Sequence, residues 1–397
     1  MSVLKEILST SATRAFLSIL MGFLVGAVFM VVASEDVGEA FDSGGFLDAI
    51  QAALRTVADG YSALFRGSIF NTRADDLATA LRPLTETLRF AGPLIAAGLG
   101  ISLGFRVGLF NIGGNGQMVF GILWATWIST RVELPFVVHV VVAVVVAILG
   151  AALWGALVGF LKAQTGAHEV ILTIMLNYVA IGLFTWFIRS PNLLQQEAAG
   201  GTPKSDAPAV SAQLPALVPD VYTLHWGFLL ALLAVGAYWW LMERSAIGYR
   251  FRMVGYNPDA ARTAGISVER TYVWAMAASA AFVGVAGANQ ALGTQVGYTE
   301  TVHAGIGFDG ITVALLGGGN AVGILFAGLL FGAFKAGGPQ MQVTGISPEV
   351  LGIVQGAIVL FIAAPPLVRA IFRLPIMTST PILDRLRSSA QRKESAS

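Results

Sequence analysis

The chain contains no cysteine. That excludes disulfide staples, thiolate metal sites and cysteine nucleophiles together. Charge is scarce as well: Asp, Glu, Lys and Arg make up 12% of 397 residues, against roughly 25% in an ordinary soluble domain. The signs nearly cancel to a net +1, so the total implies no polyanionic partner, and no basic patch suited to nucleic acid stands out. Also missing is any G-x-x-x-x-G-K-[ST] run. Without that phosphate-cradling loop, the chain is not an ATP-hydrolysing subunit of the usual design. It shows no metal-ligand cluster or catalytic dyad, so it reads as non-enzymatic with no cofactor of its own.

Apolar residues fill the space that charge leaves, at 55% of the chain. Apolar runs near the ~20 residues needed to cross a bilayer recur along almost the whole length. They fall at 15–33, 88–104, 107–129, 136–161, 170–188, 224–242, 272–292, 305–319, 322–337 and 350–372. The expectation is an all-α polytopic membrane protein of about ten transmembrane helices with two related halves. Lys5 and Arg14 before the first run resemble a secretory signal, but the run is long enough to span and leads into further apolar chain, so it reads as an uncleaved first helix.

Lys and Arg in the short loops set the orientation. The loop 243–270 holds Arg244, Arg250, Arg252, Arg262 and Arg270, and the tail holds Arg369, Arg373, Arg385, Arg387, Arg392 and Lys393. Both read as cytoplasmic, as does the N-terminus, and an even number of crossings satisfies all three. The stretches 293–304 and 190–223, with Lys204 as their one basic residue, read as external. So does the net acidic segment 34–87. Within it Leu47, Ile50, Leu54, Val57, Tyr61, Leu64 and Phe65 recur at helical spacing, which predicts an amphipathic helix lying on the outer surface of the membrane or packed on the bundle, where it either merely covers the bundle or docks a partner. The domain division is a membrane domain at 1–377, with external segments 34–87 and 190–223 and a cytoplasmic loop 243–270, followed by a polar tail at 378–397.

Two segments break the apolar pattern. FRVGLFNIGGNGQMVFG (105–121) carries Asn111, Asn115 and Gln117 among glycines, and HAGIGFDGITVALLGGGNAVG (303–323) carries Phe308 and Asp309 half a chain later. An amide in hydrocarbon costs free energy unless it finds a partner or lines a wet cavity. Paired glycine-interrupted segments in two halves point to a substrate path. Asp309 either lines that path or pins two helices together. Phe110 and Phe308 either stack on a solute or face lipid and core. Asn177 and the pair Asn289-Gln290 are interhelical hydrogen bonders by default, and a polar uncharged path also suits a hydroxyl-rich solute. His168 and Glu169 read as interfacial or capping.

In the loop 243–270, Asn257-Pro258 is a helix start, Asp259 complements the dipole, Ala260, Ala261 and Arg262 continue it, and Gly265 ends it. Such a short helix of small residues either fits a groove on another protein or merely connects two spans. The loop resembles the ATPase-coupling loop of ABC-type importer permeases. GLFNIGGNGQ, HEVILTIMLNYVAIGL, VGYNPDAARTAGI and GITVALLGGGNAVGILFAGLLFGAFKAG, in that order from about residue 61 to 372, resemble the sugar/nucleoside branch of the branched-chain-type permeases. Asn115 stands where that family usually has an acid, and His168 where it usually has Asn.

The resemblance implies a permease subunit in a bacterial cytoplasmic membrane, in contact with membrane lipid and paired with a second related permease as a heterodimer. It implies a cytoplasmic ABC ATPase that holds ATP and Mg, and an external solute-binding lipoprotein. It places Asn111, Asn115, Gln117, Asn177, Phe308 and Asp309 on the path of a nucleoside or simple sugar, and Asn257, Pro258, Ala260, Ala261, Arg262 and Gly265 at the ATPase. An ion-coupled secondary carrier is the competing reading, although Asp309 is the one acid placed for coupling. A channel would show rings of charge or carbonyl filters, for which the chain has no clear candidate.

Overall fold

The structure, a computed structural model, describes residues 11–196, 203–218, 222–293, 297–301 and 303–372. The basic residues from Arg373 onward, Lys5 and the tail 378–397 lie outside the described residues. In chain order the helices are α1 (Ser11–Val32), α2 (Glu35–Gly44), α3 (Phe46–Ser68), α4 (Leu77–Arg106), α5 (Gly114–Arg131), α6 (Phe136–Thr165) and α7 (Glu169–Arg189). Then come α8 (Gly227–Trp239), continued by a π-turn at Trp240–Arg244, α9 (Ala246–Tyr256), α10 (Pro258–Thr263) and α11 (Val268–Leu292). The last are α12 (Ile306–Leu316), α13 (Ala321–Val343), α14 (Glu349–Ala363) and α15 (Pro365–Phe372). Among the described residues, β pairing is confined to the isolated bridges Gln195–Ser205 and Ala216–His225. The all-α expectation holds.

Among the described residues six helices are long and apolar enough to cross a membrane: α1, α4, α6, α7, α11 and α13. The other expected spans are helical but shorter or less apolar. α12 has 11 residues, about 16 Å of rise and half of a bilayer core. The span expected from 107 starts as a turn, because Gly108 is left-handed at φ 76° and the helix begins at Gly114. The span expected from 88 starts earlier, at Leu77, where the Asp76 carboxylate accepts from the Thr79 N–H at 2.8 Å and caps α4.

The chain forms two compact units, 1–29 with 349–397, and 30–348. In the first, Gly22 of α1 lets the chain close on α14: a Cβ there would meet Ile358 Cγ1 at 2.4 Å. In the second, packing is reciprocal between the halves. α11 lies on α6 and α5, as α4 lies on α13 and α12, and α4 and α11 pack on each other. Small residues make these approaches possible, as expected where helices associate without a hydrophobic drive. A Cβ on Gly155 of α6 would meet the Met276 carbonyl of α11 at 2.4 Å.

α3 forms where the 34–87 segment predicts a helix, and its apolar stripe is buried only in part. Ala49, Gly60, Ala63, Leu64 and Ser68 are buried, while Leu47 and Leu54 stay exposed. The helix lies on α13, where a Cβ on Gly67 would meet Gln340 Cβ at 2.7 Å and Gly337 Cα at 3.0 Å. The described residues of the loop 190–223 pack back on the bundle. Ser205 N–H donates to the Tyr298 carbonyl, Ala209 N–H to Ser129 and Leu214 N–H to Leu292, which ties it to the ends of α5 and α11.

Candidate functional site: a buried amide cluster and its link to the 243–270 loop

The polar residues of the first glycine-rich segment converge beside the middle of α11. Asn111 donates through Nδ2 to Ser279 Oγ at 2.9 Å and to Gln117 Oε1 at 3.1 Å. Its Oδ1 accepts from the Gly113 N–H at 2.9 Å and from Gln117 Nε2 at 3.2 Å. Ser279, midway along α11, passes its own proton to the Gly100 carbonyl of α4 at 2.6 Å. From α7, Asn177 accepts the Gly116 N–H at 2.7 Å and donates to the Ile112 carbonyl at 3.0 Å. It thereby satisfies an N–H in the first turn of α5, a turn that has no side-chain cap of its own. All of these side chains are buried. Three of the amides expected on a path are therefore satisfied within the chain, Asn111 and Gln117 by each other and Asn177 by backbone groups, and they hold the turn 107–113 and the start of α5 in place.

Asn115 differs. It is equally buried, yet its Oδ1 has no hydrogen-bond partner. It sits where the N-termini of α5 and α12 meet: a Cβ on Gly307 of α12 would lie 2.4 Å from Asn115 N and Cα, so only glycine fits. Two helix N-termini converging there favour an electron-rich group. One residue on, Phe308 is half exposed. Asp309 pairs with Lys335 of α13 at 2.8 Å, and the Lys335 ammonium also reaches the Ala304 carbonyl at 3.4 Å. Before α12, His303 Nδ1 accepts the Gly305 N–H at 3.2 Å. Burial lowers the pKa of that imidazole, which favours the neutral ring that an acceptor nitrogen requires.

The second expected set lies apart from this cluster, toward the N-terminal end of α11. Asn257 Oδ1 accepts from the N–H groups of Asp259 and Ala260 at 2.9 and 3.1 Å, Pro258 opens α10, and Gly265 leaves it at φ 78°. Asp259, Ala260 and Thr263 are exposed, and Arg262 pairs with Glu269 at 2.7 Å. Ala261 is fully buried within the chain, so it supports α10 from beneath and does not present a surface.

Residues that sequence reading did not single out join the two sets. A Cβ on Gly255, the next-to-last residue of α9, would meet the Arg106 carbonyl at 2.2 Å and Val107 Cα at 3.0 Å. The 107–113 turn that ends in the amide cluster thus rests directly on the loop that carries α10. Arg106 also bonds the Glu243 carboxylate and reaches the Gly319 carbonyl at 3.4 Å, within the GGGN turn after α12. Tyr238 OH donates to the same carbonyl at 3.3 Å and shares a hydrogen bond with Ser102 at 3.0 Å. One side chain therefore touches the 243–270 loop and both glycine-rich segments. The signal available for Arg106 was its place beside the first of them, while Ser279 left no signal beyond a hydroxyl in an apolar run. His168 caps α7 by accepting the Val170 N–H, and Glu169 binds Lys162 at 2.7 Å and the Phe110 N–H at 3.3 Å.

A helical membrane bundle whose buried polar centre is built from two glycine-broken segments, with an exposed capped helix at one end, is the architecture of a permease. The chain belongs to the family described as branched-chain amino acid transport system / permease component, whose model matches residues 84–363. It is 36% identical over 357 residues to the guanosine ABC transporter permease protein NupP of Bacillus subtilis, covering 89% of this chain and 93% of that one. To the nucleoside ABC transporter permease protein NupB of Lactococcus lactis it is 31% identical over 353 residues, 87% and 89% of the two chains. To the glucose ABC transporter permease protein TsgB13 of Haloferax volcanii it is 33% identical over 289 residues, 70% and 75%. No solved structure matches the chain.

Proposed function

We propose that this chain is the membrane-spanning subunit of an ATP-driven ABC importer that carries nucleosides across the cytoplasmic membrane, with simple sugars as the second solute class. The observation that carries this reading is its identity to NupP and NupB along nearly the whole of each chain. TsgB13 supports the sugar alternative over a shorter stretch. The buried centre is consistent with both, because an unpaired amide oxygen and two helix N-termini suit hydroxyls and ring heteroatoms.

In this reading the bundle makes about ten crossings, the termini and the 243–270 loop face the cytoplasm, and the 190–223 loop faces outward. ATP and Mg are held by a cytoplasmic ABC ATPase that contacts the exposed side of α10. A second, related permease completes the membrane pore, and an external lipoprotein delivers solute. Displacement of α10 by the ATPase moves α9, and Gly255 transmits that movement to the 107–113 turn. Arg106 carries the same displacement to the turn after α12. The N-termini of α5 and α12 then part around Asn115 and Gly307, exposing the centre to one side and then the other.

The test is competition for uptake. In cells expressing the whole system, labelled guanosine is expected to be taken up, with that uptake suppressed by unlabelled nucleosides, while labelled glucose is not taken up. Uptake of glucose without guanosine would assign the sugar class instead.

A further inference from the structure

Beside α10 lies a groove of about 1000 Å³ that the transport path does not use. One wall is the face of α11 that carries Arg270, Trp274 and Ala278, spaced four residues apart and therefore stacked along one side of the helix. The other wall is α9, with Ile247 and Arg250 three residues apart. The two guanidinium groups have no acceptor among the described residues, and both arginines are exposed. Trp274 is 68% exposed and Ile247 53%, so the groove joins apolar surface to two guanidinium groups.

We infer that this groove binds the headgroup and upper acyl chain of an anionic phospholipid from the leaflet that contains the 243–270 loop. The two arginines complement a phosphodiester, and basic pockets between helices at the cytoplasmic surface are suited to anionic headgroups. The apolar part selects a lipid over a free anion. From Arg270 to Ala278 the wall runs about 12 Å along α11 at 1.5 Å per residue, away from the charged rim and into the apolar part of a span. A soluble phosphate would leave that length of Trp274 and Ile247 uncovered, and an ATPase in the aqueous phase does not reach it. The bound headgroup would bridge α9 and α11 across the 264–267 turn that follows α10. This inference rests on the proposed cytoplasmic position of that loop.

The experiment places a photoreactive residue in the groove, Ile247→benzoylphenylalanine, in the full transporter complex. The complex is reconstituted with equal phosphatidylglycerol and phosphatidylcholine in both leaflets, and the lipid adducts are identified by mass. Phosphatidylglycerol adducts should predominate. Each arginine near an anionic surface is worth about fivefold, so Arg250→Gln with Arg270→Gln should lower the ratio of the two adducts by about 30-fold. Arg250→Lys with Arg270→Lys should keep most of it, which separates charge from folding. An unchanged ratio in the glutamine variant overturns the site. Suppression of the adducts by excess glycerol phosphate would assign the arginines to a free anion, and adducts on the ATPase in place of lipid would assign them to that partner; either result overturns the lipid. Because the lipid is offered from both sides and no transport is measured, failure here leaves the orientation and the solute untouched.

Discussion

Arg106, the last residue of α4, bonds the carboxylate of Glu243 at the end of the α8 π-turn, 137 residues away in the chain. The pair is partly exposed, so its removal should cost the fold about 1 kcal/mol or less. Its effect on coupling should be larger, because the same guanidinium also holds the Gly319 carbonyl. Arg106→Gln is expected to leave the amount of assembled complex near normal while solute moved per ATP hydrolysed falls about tenfold, inside the range of about 5–150-fold that typical coupling energies span. An unchanged ratio would remove Arg106 from the transmission route.

The contact at Gly255 makes a steric prediction. A methyl group there would sit 2.2 Å from the Arg106 carbonyl, whereas one on Gly236 would meet nothing within 4 Å. Gly255→Ala should therefore lower the thermal midpoint of the purified protein, through about 1–3 kcal/mol of overpacking, and should slow uptake. Gly236→Ala should leave both alone. Thermal unfolding followed by tryptophan fluorescence separates the two variants.

The amides of the central cluster should divide into two kinds. Asn111→Leu strands Gln117 and Ser279 in the core, at about 1–3 kcal/mol for each buried polar group left unpaired, and should reduce membrane abundance along with uptake. Asn115→Leu removes a carbonyl that no group in the chain uses, so it should reduce uptake while abundance and assembly stay near normal. Quantitative blots beside uptake rates give the comparison. Equal loss of abundance in both variants would make Asn115 a packing residue.

For Asp309 the test is exchange of charge with Lys335. If the pair serves to pin α12 to α13, Asp309→Lys combined with Lys335→Asp should recover most of the uptake that either single change abolishes. If the carboxylate acts on the solute, the double variant should stay as inactive as the single ones. The uptake of the three variants forms a double-mutant cycle whose coupling energy decides the matter.

The spans and the two polar segments were legible in the sequence because glycine and amides are conspicuous in apolar runs, and because a cap such as Asn257-Pro258 announces its own helix. The pairing of Asn111 with Ser279 was not legible, since it joins residues 168 apart in the chain and serine is unremarkable in a membrane helix. The same holds for Arg106 and Glu243. The stripe on α3 divides in a way hydropathy does not register: Leu64 is buried with Gly60 and Ala63, while Leu47 and Leu54 are exposed, because small residues are what let helices approach closely. The length of α12 was overestimated because hydropathy does not register the left-handed Gly305 that starts it or the Gly318 and Gly319 turn that follows.

The central claim is that a movement made elsewhere by ATP hydrolysis, transmitted through α10, opens the site around Asn115. The most direct measurement is uptake of labelled nucleoside into proteoliposomes that contain the complete transporter, with ionophores present to abolish every ion gradient. Uptake is predicted to require hydrolysable ATP on the ATPase side and to persist without any gradient. Uptake that continued without ATP, or that vanished when the gradients were collapsed, would contradict the account.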